Sequence, residues 1–541
     1  MDVQRLLLLI VFSFSSVMLW QAWEKEHNPV SVVQSVSTNN TSAASTPSSL
    51  TDNNLSTITF PVGQQVVVHT DVLTAKIDAN GGDLRSLILT KYHETGAPNQ
   101  PLQLFEQDTG HLFVAQSGLI GNSLPTHKAL FKFAATQYTL QPGQDTLTVP
   151  LLWSDPAIGL QVEKDYVFHR NSYSVDVTWK LNNTGPLTDP VNAYFQFVRD
   201  SKQPLGESRV VHTYTGPALF TQANKFTKLD FKKLDKGDQD YPKYANNGWV
   251  AMVQHHFVSV WLPEDGLRRE FYVNALGNGL YKDGVIVPEP TLAPHSHEQF
   301  TVPMYAGPQI QNVLTGLAPG LDYVVDYGWL TPIAVPIFWL LQKIHGVVGN
   351  WGWSIVVLTI LIKLMFFPLS AKSYRSMAQM RGLSPKLKQL KDVHGEDKEK
   401  YHLAMMALYK TEKVNPLGGC LPTVVQIPVF IALYWTLVGS VEMRQAPFIG
   451  WIHDLSAPDP YFVLPILMGA TMLLQTRLNP APPDPMQAKV MMLMPIAFTF
   501  FFMFFPAGLV LYWVVNNLFS MTQQWVITRK VEAEKLGSVA N

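Results

Sequence analysis

The chain has 541 residues, with 40 Lys and Arg against 41 Asp and Glu for a net charge of −1, and a single cysteine, Cys420. That length exceeds one compact domain. Near neutrality excludes bulk attraction to nucleic acid or to an acidic surface and leaves only local patches. One cysteine excludes an intramolecular disulfide framework. The average hydropathy, close to zero, hides a split: residues 1–320 mix polar and apolar types, whereas 329–526 are dominated by Leu, Ile, Val, Met, Phe and Trp, the composition of membrane spans.

In chain order, Arg5 precedes an apolar run from Leu6 to Trp23, long enough to cross a bilayer. It lacks a small-residue cleavage site, so residues 1–23 read as an uncleaved anchor rather than a signal peptide. Residues 24–56, rich in Ser, Thr and Asn, read as a flexible linker. From 57 to 320 short apolar runs with partial alternation recur between Gly, Pro, Asn and Asp, the pattern of an all-β, sandwich-like domain. At about 260 residues such a domain needs no disulfides to hold its core. Residues 321–350 contain Pro332, Pro336, Lys343 and His345, and their later apolar residues gather on one helical face, which predicts an amphipathic helix lying in the interface.

Five more spans follow the N-terminal one: 351–371, 416–438, 461–476, 489–505 and 508–527. The loop 372–415 carries ten Lys or Arg, the loop 439–460 only Arg444, the short loop 477–488 is mildly basic counted from Arg477 to Lys489, and the tail 528–541 is basic again from Arg529. The positive-inside rule then places both termini and the basic loops in the cytoplasm and residues 24–350 outside. The expected architecture is an α-helical membrane bundle of six spans, five of them forming a core, beside an outer β-domain.

The chain has no phosphate-binding loop, zinc-protease motif, nucleophile elbow or Cys/His zinc spacing. His255-His256 and His295-Ser296-His297 are read as surface residues rather than metal ligands, so neither catalytic residues, metal nor cofactor is expected. Lys363 is the anomaly. It lies eight residues, roughly 12 Å, inside the cytoplasmic end of its span, where an unpaired charge costs on the order of 2.5–3.5 kcal/mol. A structural ion pair or a snorkelling stem would be the bland explanations. Against the ion pair, no other span has an Asp or Glu in its body; the neighbouring spans offer Thr359, Gln426, Thr436, Gln475, Asn516, Asn517, Ser520 and Thr522. Each could serve as an ordinary interhelical hydrogen bond. Together they could line a hydrated, positively charged groove that attracts acidic or polar peptide segments.

The basic loop divides at His394-Gly395 into two arms with Met377, Met380, Leu383, Leu387 and Leu390 on one and Tyr401, Met405 and Leu408 on the other, an antiparallel helical hairpin that Ser384-Pro385 breaks in its first arm. It is either a solvated hairpin or a docking element for nascent chains, the ribosome or anionic lipid.

The segments Val324-Val325-Asp326-Tyr327-Gly328-Trp329-Leu330, Glu412-Lys413-Val414-Asn415-Pro416-Leu417-Gly418-Gly419-Cys420, Gly439-Ser440-Val441-Glu442 and Phe505-Pro506-Ala507-Gly508-Leu509-Val510-Leu511-Tyr512 resemble the Oxa/YidC/Alb family of membrane protein insertases, and the anchor, linker and β-domain resemble its Gram-negative form with a large periplasmic domain. The resemblance implies a membrane insertase and chaperone of the inner membrane, acting alone or with the Sec translocon and its accessory subunits, on nascent membrane proteins. It also implies ribosome or signal-recognition partners at the hairpin, contact with the lipid bilayer, and no specific nucleic acid. By position, Lys363 takes the groove charge, which in this family is usually arginine, with Thr359, Gln426 and Asn516 lining the groove and Tyr512 and Trp513 near the substrate path. Lysine keeps the sign of the charge but loses the planar fork. A channel or secondary transporter is the rival reading, and it would call for inverted repeats; an envelope enzyme using the β-domain is a third.

Overall fold

The computed structural model describes residues 62–539 except 96, 109, 205–212, 238–239, 326, 328–329, 395–396, 413, 415–420 and 479–484. The expected anchor at 1–23 and linker at 24–56 lie outside the described residues.

Among the described residues the β-domain has a ten-stranded and an eight-stranded sheet. In the first, Asn192–Asp200 is flanked by Leu112–Ile120 and Leu280–Pro288, both antiparallel. In the second, Phe257–Trp261, His297–Pro308, Ser174–Asn183, Leu160–His169 and Thr146–Asp155 follow one another as antiparallel neighbours. Strands such as Gln65–His69 alternate buried and half-buried side chains, as a strand with one face on a core must. Inward-facing residues of both sheets, among them Val177, Trp179, Phe195, Phe197 and Trp261, form one continuous core, and Phe197 stacks on Trp261 with ring centroids 5.7 Å apart. The coarse expectation of an all-β domain followed by a helical region is what the structure has.

The hairpin Trp249–Val253 and Phe257–Trp261 is buried along its whole length. Its alternate residues serve two cores. Val250, Met252, Phe257 and Trp261 face the sandwich, while Trp249, Ala251, Val253, Val258 and Val260 pack against Leu314, Leu321, Tyr327, Ala334 and Ala432 of the segments that follow. A strand pair with two apolar faces needs two partners, and here the second partner is the helical region.

Among the described residues that region contains nine longer helices: α1 (Thr331–Val348), α2 (Trp351–Met365), α3 (Phe367–Gly382), α4 (Ser384–His394), α5 (Lys398–Thr411), α6 (Leu421–Gly439), α7 (Val463–Leu478), α8 (Pro485–Phe502) and α9 (Ala507–Val539). Gly349, at φ +72°, ends α1, and the Asn350 side chain caps α2 by accepting from the Trp353 N–H at 3.1 Å; glycine tolerates the left-handed C-terminal position and asparagine supplies the missing acceptor. Ala334, Phe338 and Leu341 form the buried stripe of α1, while Val335, Trp339 and Val347 are exposed on the other side, so this helix is apolar beyond a single face.

The segment 351–371 is not one straight helix. It breaks at Phe366, and α3 leaves α2 at 68°. Pro368 at the start of α3 has no N–H and its ring crowds the carbonyl four residues back, which favours a break there, although α1, α6 and α8 carry Pro336, Pro428 and Pro495 in their interiors. Among the described helices, α1 alone is long and apolar enough to cross a membrane unaided, and α2 with α3 passes only as a bent pair. The apolar portions Val425–Gly439, Val463–Leu478 and Ala488–Phe502 are shorter. The last helix continues without a break to Val539, through most of the residues read as a tail.

Candidate functional site

Lys363 sits in the last turn of α2 and is only 3% exposed. Its ammonium donates to Ser520 Oγ on α9 at 2.7 Å and, at the long distance of 3.4 Å, to Gln426 Oε1 on α6. Three helices therefore meet at one charge. No carboxylate among the described residues compensates it.

The partner on α9 follows from helical spacing. Tyr512, Asn516 and Ser520 lie four residues apart and so occupy one face, and all three are buried. Ser520 Oγ donates its own proton to the Asn516 carbonyl at 2.6 Å. Tyr374 on α3 lies beside Ser520; the bend at Phe366 lays α3 against α9 and brings that ring to the site. Tyr374 falls within the segment expected as the basic hairpin, and Ser520 among the expected neutral lining groups, where its regular spacing with Asn516 is the available signal.

The other expected lining residues are placed differently. Thr359 is buried one turn before Lys363, but its hydroxyl donates to the Ile355 carbonyl of its own helix at 2.6 Å. Thr436 does the same to Ala432 and Thr522 to Leu518. Asn517 points to α7, where its amide donates to Thr471 Oγ1 at 3.2 Å. These hydroxyls and amides are satisfied away from the charge. Gln523, three residues past Ser520, has both amide atoms buried with no hydrogen-bond partner among the described residues, and sequence reasoning missed it.

Tyr512 and Trp513 belong to an aromatic cluster rather than to the polar contact. Tyr512 stacks on Phe430 of α6 with centroids 6.1 Å apart, and Trp513 lies 5.0 Å from Phe430 and 5.9 Å from Phe502 of α8. Along α9, Tyr512 is eight residues from Ser520, roughly 12 Å at the usual helical rise. The site thus has a polar end at Lys363 and an aromatic end at Tyr512 and Trp513, whose indole N–H is buried without a partner among the described residues.

Beside the site, α4 and α5 form the hairpin. Met380, Leu383, Leu387, Met405, Tyr409 and Val414 pack between its arms and neighbouring turns, and Lys386 pairs with Glu412 at 2.5 Å. On the opposite side of the helical region, His255 and His256 turn to the α6 C-terminus rather than outward, a correction to their reading as surface residues; burial of the hairpin that carries them is the cause.

A family model described as 60Kd inner membrane protein matches residues 343–534, and one described as YidC periplasmic domain matches residues 65–340. A protein named Membrane protein insertase YidC from Thiobacillus denitrificans is 54% identical over 536 residues, with 98% of each chain covered. Its namesake from Aromatoleum aromaticum is 50% identical over 548 residues, covering 99% of this chain and all of the relative. A solved structure of an active YidC insertase with its first transmembrane domain resolved aligns over 85% of this chain and 92% of that one, at 17% identity and a TM-score of 0.40. The chain belongs to the YidC family of membrane protein insertases.

Proposed function

We propose that this inner-membrane protein inserts nascent membrane proteins by presenting the Lys363 ammonium to the hydrophilic outer segment of a substrate within the bilayer. The observation that carries the reading is a buried cation held by two neutral acceptors and by no carboxylate among the described residues. A charge already matched by an acid would offer a substrate little. An unmatched one, in a region where water is scarce, attracts acidic or polar groups far more strongly than in bulk water. The aromatic end at Tyr512 and Trp513 suits the apolar part of the same substrate.

In this reading six spans place both termini and the basic loop 372–415 in the cytoplasm and the β-domain in the periplasm, in keeping with the ten basic residues of that loop. Cooperation with the Sec translocon, a chaperone role in folding and assembly, and ribosome or signal-recognition docking at the α4–α5 hairpin complete the proposal. No covalent step is involved.

The test is insertion of a short substrate with an acidic outer segment into vesicles carrying Lys363→Arg, Lys363→Gln or Lys363→Glu protein. Arginine should preserve insertion, glutamine should slow it and glutamate should slow it most. Equal rates for all three would overturn the charge-based reading.

A further inference from the structure

We propose that Ser520 is the positioning residue of the groove cation, a hydroxyl that accepts from the Lys363 ammonium, fixes where it points and leaves one of its N–H groups for the substrate. The inference rests on the reading of Lys363 as the substrate-facing charge.

A serine hydroxyl has one proton and two lone pairs. Here the proton is committed to the Asn516 carbonyl at 2.6 Å, so towards Lys363 the oxygen can only accept, and it does so at 2.7 Å. The hydroxyl is then held on both sides, and it cannot swing away without breaking both contacts. Such a charge-assisted bond is among the stronger ones a neutral group makes. Gln426, at 3.4 Å, is a weaker second support from α6.

The ammonium has three N–H groups. Two point at Ser520 and Gln426; the third has no protein acceptor among the described residues. A compact ammonium needs only one good acceptor to be aimed, whereas a guanidinium fork wants two coplanar ones. Ser520 therefore suits lysine at 363: it orients the charge without neutralising it, which an Asp or Glu in its place would do. The chemical class that the free N–H would take is a carboxylate of a passing outer segment.

The experiment uses the full-length protein in vesicles and two substrates that differ only in carrying two Asp or two Asn in the outer segment. The readout is the ratio of their insertion rates. In the wild-type chain the acidic substrate is favoured. Ser520→Ala should cut that ratio by about tenfold, the scale of one hydrogen bond to a charged group, and Ser520→Thr, which keeps the hydroxyl, should restore it. In a Lys363→Gln background, Ser520→Ala should change the ratio no further, because the partner it positions is gone. A Ser520→Ala variant that slows both substrates alike, or that acts equally with and without Lys363, would reduce Ser520 to packing and overturn the inference. A Lys363→Gln chain that keeps the wild-type ratio would instead overturn the charge-based reading of the groove itself.

Discussion

His255 and His256 stack with ring centroids 3.7 Å apart, and each turns Nε2 to the same acceptor, the Val438 carbonyl, at 3.0 Å. One carbonyl oxygen has two lone pairs and accepts both. The β-domain is thereby fastened to the C-terminal end of α6, the helix whose other half carries Gln426. Around this clasp Arg444 donates to the His93 carbonyl at 2.6 Å and Thr95 Oγ1 at 3.1 Å, Gln445 donates to the same His93 carbonyl, and Tyr327 reaches Ser440 at 3.5 Å.

The clasp makes the junction sensitive to acid. Burial, with Arg444 nearby, pushes His255 down to about 4 and His256 well below the ordinary histidine value of 6.5. An opened junction takes up those protons from about pH 6.5 downward while the closed one does not, so closure weakens as the pH falls from 6.5 towards 4. Glu442 opposes this. Burial raises its carboxyl from 4.5 to about 7, so its contribution is present below 4.5 and is lost as the pH rises to 7. Of the other groups facing the clasp, Arg444 stays charged and Tyr92 neutral through this window. Hydrogen exchange of residues 438–445 against pH should show protection falling on acidification in Glu442→Gln and rising on acidification when both histidines are glutamine. Parallel curves in the two variants would refute the assignment.

In the β-domain, Lys164 is buried with its ammonium on the Gly82 and Gly81 carbonyls at 2.8 and 3.0 Å and 5.0 Å from the Trp179 ring. Asp83, also buried, accepts from Gln116 at 2.8 Å. Burial pushes the lysine down and the aspartate up, and each draws the other back towards its charged form. Lys164→Met should destabilise the domain by about 3–5 kcal/mol because it leaves the buried Asp83 with Arg85, at the long distance of 3.8 Å, as its remaining ion partner among the described residues. Lys164→Met combined with Asp83→Asn should recover at least half of that loss. Thermal unfolding of the full chain, followed by tryptophan fluorescence, reads both.

Gly469 on α7 lies against Thr499 on α8, where an added Cβ would overlap the Thr499 hydroxyl. Gly469→Ala should therefore force the two helices apart at a cost of about 1–3 kcal/mol. Thr499→Ala in the same chain removes the obstructing hydroxyl and should restore the wild-type midpoint of thermal inactivation in detergent; no rescue would mean that the helices relax in some other way.

Pro368 sets the bend that carries Tyr374 to Ser520. Pro368→Ala should allow α2 and α3 to straighten, since alanine restores both the N–H and the helical propensity that proline lacks. Crosslinking of cysteines placed at 374 and 520 by a short bis-maleimide, which replaces the length of the tyrosine ring, should fall several-fold in that variant, and an unchanged yield would show that packing alone holds the bend.

Much of this was legible before any coordinates. The change from short alternating runs to long apolar ones separates the β-domain from the helical region, because each secondary structure has its own period. The cost of Lys363 and the lack of an acid in the other spans could likewise be read from residue types alone. The family was legible in contiguous motifs. Less legible were helix ends: the span written as 351–371 breaks at Phe366, and although Pro368 signalled a break, the angle depends on what α3 packs against.

What the sequence determined by itself is the problem, a lone cation among neutral polar groups in an apolar solvent, and the family that solves it. Which neutral groups answer the charge was decided only by tertiary structure. Thr359, Thr436 and Thr522 return their hydroxyls to their own helices, and Asn517 faces α7. Ser520 also bonds its own helix, yet still has lone pairs facing α2. A hydroxyl on a helix can always satisfy itself four residues back, so composition does not say whether it is available to a neighbour. That depends on how the helices are rotated about their axes, and packing across the whole bundle sets the rotation.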